Sequence, residues 1–194
     1  LNKFNIPFEQ INDDISIPGR GETTHVSVID KDQNAASVTT TNGEGCGYIL
    51  PGTGIMLNNM LGEEDLNPQG FHKWSHSRRL QTMMSPSIVI KDGKPMMIVG
   101  SGGSNRIRSA MVQVLINYIF MDMSLEESIE SPRIHLEGEN LYFEPGIDIS
   151  NETFPSEISL NSFDEKNLFF GGVNAVSLSD GFSDFRRGGT CEIV

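Results

Sequence analysis

Two runs rich in β-branched residues, Thr24 to Asp30 and Ala35 to Thr41, flank the turn-forming Lys31-Asp32-Gln33-Asn34, which constrains this stretch to an antiparallel β-hairpin. A second hairpin is predicted where Ser85-Pro86-Ser87-Ile88-Val89-Ile90 and Met96-Met97-Ile98-Val99 face each other across Lys91-Asp92-Gly93-Lys94-Pro95, with its Asp-Gly turn signal. It runs into Gly100-Ser101-Gly102-Gly103-Ser104, with Ser104 placed to cap a helix in which Ile107, Met111, Val114, Leu115 and Tyr118 share one face. Val112, Ile116 and Ile119 make the opposite side apolar, so the helix is expected to lie between other layers.

Ser124 caps a shorter helix, Leu125 to Glu130, with Glu127 in the capping-box position and Pro132 as its stop. Leu141-Tyr142-Phe143, Leu168-Phe169-Phe170 and Val173 to Leu178 read as strands, the last turning at Asp180-Gly181 toward Phe182 to Phe185. Strands, two central helices and strands again predict a layered α+β domain without an internal repeat.

The 194 residues suffice for one domain with a substantial core. A net charge of -12 argues against a nucleic-acid groove or an anionic membrane surface, both of which need clustered Lys and Arg. Cys46 and Cys191 are too few for a disulfide framework. The longest apolar stretch, Met111 to Met121, is interrupted by Gln113 and Asn117 and falls short of the ~20 residues that span a bilayer. Leu1 to Gln10 lacks the basic start and apolar core of a signal peptide. Residues 1–22, polar and ending in Pro18-Gly19-Arg20-Gly21, have the composition of an exposed linker.

Several residues have both a plain and a chemical reading. Thr23 and Thr24 suit the start of a strand, yet a threonine hydroxyl becomes a nucleophile when a base takes its proton. Cleavage of the Glu22-Thr23 bond would supply that base, an α-amine of reference pKa roughly 7.7 to 8.0 on the same residue. Thr41 suits a cross-strand hydroxyl pair. Gly102 and Gly103, between a strand and a helix N-terminus, suit an oxyanion or phosphate site, or a plain turn. The glycine-rich loop from Asn42 to Gly54 can bring backbone close to a ligand or simply connect strands. Glu63-Glu64-Asp65 reads most simply as a solvated acidic turn. His72 and His76 have helix-face ligand spacing but lie in an irregular stretch without the accompanying Glu, so no metal is expected. His25 is expected to pack or hydrogen-bond rather than act as a base, and Met83, Met84, Met96 and Met97 to fill core.

Thr23-Thr24-His25-Val26-Ser27-Val28-Ile29-Asp30, Gly54-Ile55-Met56-Leu57-Asn58-Asn59, Met84-Ser85-Pro86, Gly102-Gly103, Glu127 with Ser131-Pro132-Arg133, and Arg186-Arg187-Gly188-Gly189 together resemble the γ-glutamyltransferase family, over nearly all of residues 23–194. The resemblance implies an N-terminal-nucleophile hydrolase fold, an αββα sandwich of which this chain is the small-subunit half, completed by an upstream large subunit of the same precursor. It also implies autoprocessing between Glu22 and Thr23, with residues 1–22 as linker and 23–194 as the catalytic region. Thr23 is then the nucleophile, Thr41 the hydroxyl that orients it, and Gly102 and Gly103 the oxyanion hole. The substrate is a small amide or peptide, and no cofactor, nucleic acid or membrane-spanning segment is expected. An extracellular or periplasmic setting follows from the family, with a cytoplasmic one left open.

The substrate-holding positions depart from the family pattern. The asparagine expected two places after Thr41 is Gly43, with Asn42 one place early; Met60 follows Asn58-Asn59 in place of Gln or Glu; Glu63 stands for the aspartate that grips the α-amine; Thr82-Met83 replaces the serine pair for the α-carboxylate. The leading expectation is therefore a γ-glutamyl or related amide, with Asn42, Gly43, Asn59, Glu63 and Thr82 as substrate contacts. The alternatives are a cephalosporin-acylase-like amidase on a non-glutamyl substrate and an unprocessed, inactive relative with a binding or structural role. The chain alone is expected to expose a large apolar face.

Overall fold

The computed structural model describes residues 23–77 and 79–193, so the expected linker 1–22, and with it Glu22, lies outside the described residues. The chain begins with the predicted hairpin, β1 (Thr23–Ile29) and β2 (Ala35–Thr41), paired from Thr23↔Thr41 to Ile29↔Ala35. Asp30 closes the turn, its carboxylate accepting from the backbone N–H groups of Asp32 and Asn34, both at 2.9 Å. Short strands β3 (Ile49–Leu50) and β4 (Ile55–Met56) follow inside the glycine-rich loop. Next come β5 (Ser87–Lys91) and β6 (Lys94–Gly102), joined at Asp92-Gly93, where both residues adopt the positive φ that such a turn requires.

Helices α1 (Arg106–Phe120) and α2 (Leu125–Glu130) lead into β7 (Ile134–Glu137), β8 (Asn140–Phe143), β9 (Ser159–Ser162), β10 (Gly172–Val176) and β11 (Gly181–Ser183). The central sheet has the order β11-β10-β6-β5, and β7-β8-β9 form a separate sheet in which β8 and β9 run parallel. This layered α+β arrangement agrees with the expectation. The capping box of α2 is present as read, Ser124 accepting from Glu127 N and Glu127 from Ser124 N. No helix among the described residues is long and apolar enough to cross a membrane.

Side-chain alternation along β6 sorts the two faces of the central sheet. Met97 and Val99 join Val173 and Ala175 of β10 in a core with Ile107, Ala110, Met111 and Val114 of α1 and Leu125 and Ile129 of α2. Met83 belongs to the same core, as read. The other face of β6 carries Gly100 and Gly102, and the hairpin lies on it. A Cβ at Gly100 would collide with the His25 ring, and one at Gly102 would lie 2.5 Å from the Thr23 carbonyl oxygen. Thr23 and His25, two apart on β1, thus sit over Gly102 and Gly100, two apart on β6.

The hairpin therefore buries its polar face. Thr23, His25, Ser27, Ser37, Thr39 and Thr41 share that face by register, and Ser37 Oγ donates to the Val99 carbonyl at 3.1 Å. The opposite face presents Val26, Val28 and Val38, each about half exposed at 53%, 51% and 51%. A hairpin normally buries its apolar side, and here that side is the one left half exposed.

Four readings are corrected. Ser104 does not cap α1: it has φ +51°, the cap position falls on Asn105, and no side chain accepts from the first turn. The far side of α1 has no layer over it among the described residues, Val112, Ile116 and Ile119 being 55%, 45% and 39% exposed, and this helix face is where the chain alone was expected to show apolar surface. Leu168–Phe170 is a 3₁₀ turn rather than a strand, because Asn167 Oδ1 accepts from Phe169 N at 3.0 Å and starts a turn. Strands β3, β4, β7 and β9 had no counterpart in the sequence reading, being short and, at Ser159–Ser162, of low strand propensity.

Candidate active site

The first pair of the hairpin brings two hydroxyls together. Thr23 Oγ1 and Thr41 Oγ1 are 2.9 Å apart, and Gly43 N donates to Thr41 Oγ1, also at 2.9 Å. Gly43 does this at φ +69°, and a side chain there would collide with Asn59 Oδ1 and lie 2.9 Å from Glu63 Oε1. The loop is thus built around a glycine: Asn59 and Glu63 close over the space that a longer residue at 43 would fill.

Asn59 Oδ1 accepts from Glu44 N at 2.8 Å, which fixes the amide against that loop. Burial, then the neighbouring charges of Glu44 and Asp65, push the Glu63 carboxyl up. Asn42 serves through its backbone, its carbonyl accepting from Asn59 N and Gly45 N. Thr82 is exposed and keeps its hydroxyl within its own turn, accepting from Met84 N at 3.2 Å. Met83 is core, so of that residue pair only Thr82 has a polar group for a ligand. The structure therefore gathers Thr23, Thr41, Gly43, Asn59 and Glu63 into one connected set, and among the described residues the side chains of Asn42 and Thr82 make no hydrogen bond to it.

His25 lies directly behind the hydroxyl pair. Its Nδ1 is 2.8 Å from Thr39 Oγ1 and its Nε2 is 2.8 Å from Ser27 Oγ, and Ser27 Oγ donates to the Asn174 carbonyl at 3.4 Å. Because the Ser27 proton is committed there, Nε2 is the nitrogen that donates and Nδ1 the one that accepts, a neutral imidazole with both sides occupied. Burial pushes its pKa down from 6.5 to about 4. His25 is therefore a wedge between hairpin and sheet rather than a base, as expected.

A pKa lowered by folding has a definite sign in stability. The contribution of neutral His25 is complete above 6.5 and is lost as the pH falls toward about 4. At about 1.4 kcal/mol per unit, wild type should lose up to about 3 kcal/mol across that interval relative to a His25→Gln variant. Urea midpoints of the two proteins across the same pH series check this; parallel curves would rule it out.

Gly102 and Gly103 end β6 beside Thr23, ahead of the first turn of α1. Gly103, at φ +136°, lies against Gly171, where a Cβ would come within 2.7 Å of the Gly171 Cα. Thr23 and Gly102 border a cavity of about 530 Å³ whose far wall includes Asn174, Arg187 and Gly189. The Arg187 side chain passes over Gly172, and its Nη2 lies 3.5 Å from where a Gly103 Cβ would be.

Behind this wall two cations and two carboxylates form a buried network. Arg133 Nη2 donates to Asp184 Oδ2 and Arg186 Nη2 to Glu144 Oε2, both at 2.6 Å, while Arg186 Nη1 reaches Asp184 Oδ1 at 3.2 Å. Arg133, Glu144, Asp184, Asn174 and Arg187 were not singled out as site residues from sequence. Arg133 and Arg187 did lie in recognised motifs; Glu144 and Asp184, isolated acids, carried no signal. Cys46 and Cys191 are both free and exposed.

The layered fold with this hairpin on a glycine-lined sheet is that of the N-terminal-nucleophile hydrolase class. It superposes with a TM-score of 0.71 on the solved γ-glutamyltranspeptidase of Pseudomonas nitroreducens complexed with L-DON, at 26% identity, covering 88% of this chain and 99% of that one. Residues 2–193 match the γ-glutamyltranspeptidase family model, and the chain belongs to that family of enzymes. A glutathione hydrolase proenzyme of Bacillus subtilis is 36% identical over 130 residues, 66% of this chain and 22% of the relative. The acylase ACY 1 proenzyme of a Pseudomonas strain is likewise 36% identical, over 65% of this chain and 23% of its own length. The chain thus spans about a fifth of the length of these curated relatives.

Proposed function

We propose that residues 23–194 form the catalytic small-subunit region of an autoprocessing amidohydrolase or acyltransferase whose nucleophile is Thr23. The observation that carries this reading is the relay Gly43 N–H to Thr41 Oγ1 to Thr23 Oγ1. Hydrolysis of the Glu22-Thr23 peptide bond frees the Thr23 α-amine. That amine takes the Thr23 hydroxyl proton as Oγ1 attacks the substrate carbonyl carbon. The N–H groups of Gly102 and Gly103 receive the developing oxyanion. The protonated amine then gives its proton to the departing amine, leaving an acyl ester on Thr23, which water or a second amine cleaves with the α-amine again as base.

The exposed stripe of Val26, Val28 and Val38, with the uncovered side of α1, supports an upstream large subunit of the same precursor as the other half of an αββα sandwich. Residues 1–22 are then the linker that processing releases from the catalytic region.

Two acyl groups compete as substrate, γ-glutamyl and a related group without the α-amine and α-carboxylate. The closed-in Gly43 and the core position of Met83 favour the second, the acylase-like reading. With those contacts reduced, kcat/KM for a γ-glutamyl anilide should stay within roughly tenfold of that for the matching glutaryl anilide. A preference of several orders of magnitude for the γ-glutamyl compound would restore the γ-glutamyl assignment. Intact mass of the full-length precursor after incubation tests the nucleophile itself, by whether a product begins at Thr23.

A further inference from the structure

Helix α1 is tied to β7, an outer strand of its sheet among the described residues, by three polar side chains spaced four apart. Gln113 Nε2 donates to the Ile134 carbonyl and its Oε1 accepts from Ile134 N, both at 2.9 Å. Ser109 Oγ lies 2.6 Å from His135 Nδ1, and Asn105 Nδ2 donates to Glu137 Oε1 at 2.6 Å. Residues 105, 109 and 113 fall on one face of a helix, so the three ties form a stripe along β7. The strand itself is anchored at its start, where Arg133 is bonded to Glu144 and Asp184.

Asn105 is where this stripe meets the candidate active site. As the cap residue of α1 its side chain would ordinarily accept from the first turn. Instead its Nδ2 is on Glu137 and its Oδ1 accepts from Ser104 Oγ at 3.3 Å. Ser104, at φ +51°, and Gly103, at φ +136°, make the turn between β6 and α1. A serine keeps a positive φ only where its surroundings impose it. On the strand side the turn is fixed by Gly102, paired opposite Gly172. On the helix side it is held by the Asn105–Glu137 bond and by Arg106 Nε, which donates to the Phe169 carbonyl at 3.1 Å.

We propose that Glu137 is a positioning residue, holding Asn105 so that the Gly103 N–H keeps the orientation that receives the oxyanion, an inference that rests on Thr23 as nucleophile and on Gly102 and Gly103 as the oxyanion donors. Glu137 touches no reacting atom and acts through Asn105 and Ser104. The oxyanion develops only on the way to the transition state, so loosening this N–H slows the reaction without weakening substrate binding. Arg106 retains part of the hold, which keeps the loss below the roughly 10²–10³-fold of a deleted donor.

The full-length protein is assayed on the glutaryl anilide, with rates normalised to the processed fraction by intact mass. Glu137→Ala should lower kcat roughly tenfold and leave KM within about twofold. Arg106 N and Ile107 N donate to the Gly103 and Ser104 carbonyls, and their hydrogen exchange should speed up about tenfold in the same variant. Glu137→Gln, which keeps an oxygen for Asn105 to donate to, should restore both readouts. Gln113→Ala removes the two bonds at the far end of the stripe; it should lower stability but leave kcat and this exchange unchanged. Unchanged exchange in Glu137→Ala overturns the proposal. So does a Gln113→Ala protein as slow as Glu137→Ala, since both would then act through the stability of α1 alone. Faster exchange with an unchanged kcat overturns the link to the oxyanion. Faster exchange in Glu137→Ala where wild type shows no turnover overturns the reading of Thr23 and supports the hold of Glu137 on the turn.

Discussion

Thr23→Ala should leave the Glu22-Thr23 bond intact and lower amide turnover by at least about 10³-fold, the scale on which single nucleophile deletions act. The variant removes the hydroxyl and the γ-methyl of Thr23, and with the hydroxyl its hydrogen bond to Thr41 Oγ1. His25 cannot substitute as the activating base, since its two nitrogens are occupied by Thr39 and Ser27 and its pKa of about 4 keeps it neutral. In the mechanism proposed above the base is generated by cleavage instead, which would couple activity to processing. Thr23→Ser, which keeps a hydroxyl at the same place, should still be processed. Intact mass and initial rates on the anilide measure both effects. A Thr23→Ala protein that cleaves at this bond, or turns over at the wild-type rate, would eliminate the mechanism.

The second large effect is on stability. Asp184 is 1% exposed and accepts from Arg133 Nη2 and Val173 N through Oδ2, and from Arg186 N and Nη1 through Oδ1. Glu144 accepts from Arg186 Nε and Nη2 and also from Arg133 N and Asn167 N. Two arginines and two carboxylates balance, so removing one carboxylate leaves a buried cation uncompensated. Asp184→Ala should cost about 3–5 kcal/mol. For a domain of this size that corresponds to a fall of roughly 10 °C in melting temperature. The network also holds β10 and the 3₁₀ turn Phe185–Arg187, from which Arg187 reaches toward Gly103. A loss under 1 kcal/mol, read from denaturant midpoints at unchanged slope, would contradict this account.

Much of the fold was legible because its signals are local. The runs Thr24–Asp30 and Ala35–Thr41, the Asp92-Gly93 turn and the Ser124/Glu127 capping box each depend on residues within a few positions of one another, and each formed as read. The Thr23 and Thr41 pair was legible too, since hairpin register places first opposite last. The false strand at Leu168–Phe170 came from a local propensity that the neighbouring Asn167 redirected, and the false cap at Ser104 from a helix that starts one residue later without a side-chain cap. The Arg133, Glu144, Asp184 and Arg186 network was not legible, because it joins residues as distant along the chain as Arg133 and Asp184, 51 positions apart.

By itself the sequence determined the hairpins, the helices and the hydroxyl pair, all products of short-range backbone preference and two-residue alternation. Only the tertiary structure decided which face of the hairpin is buried. Alternation separates the valines from the hydroxyls but cannot say which side meets the sheet. Gly100 and Gly102 decide it: with no Cβ on that face of β6, His25 and the Thr23 backbone approach closely enough for the polar side to be inside and satisfied. Tertiary structure also decided the loop packing near Thr41, since only contact across the loops brings Asn59 and Glu63 over Gly43.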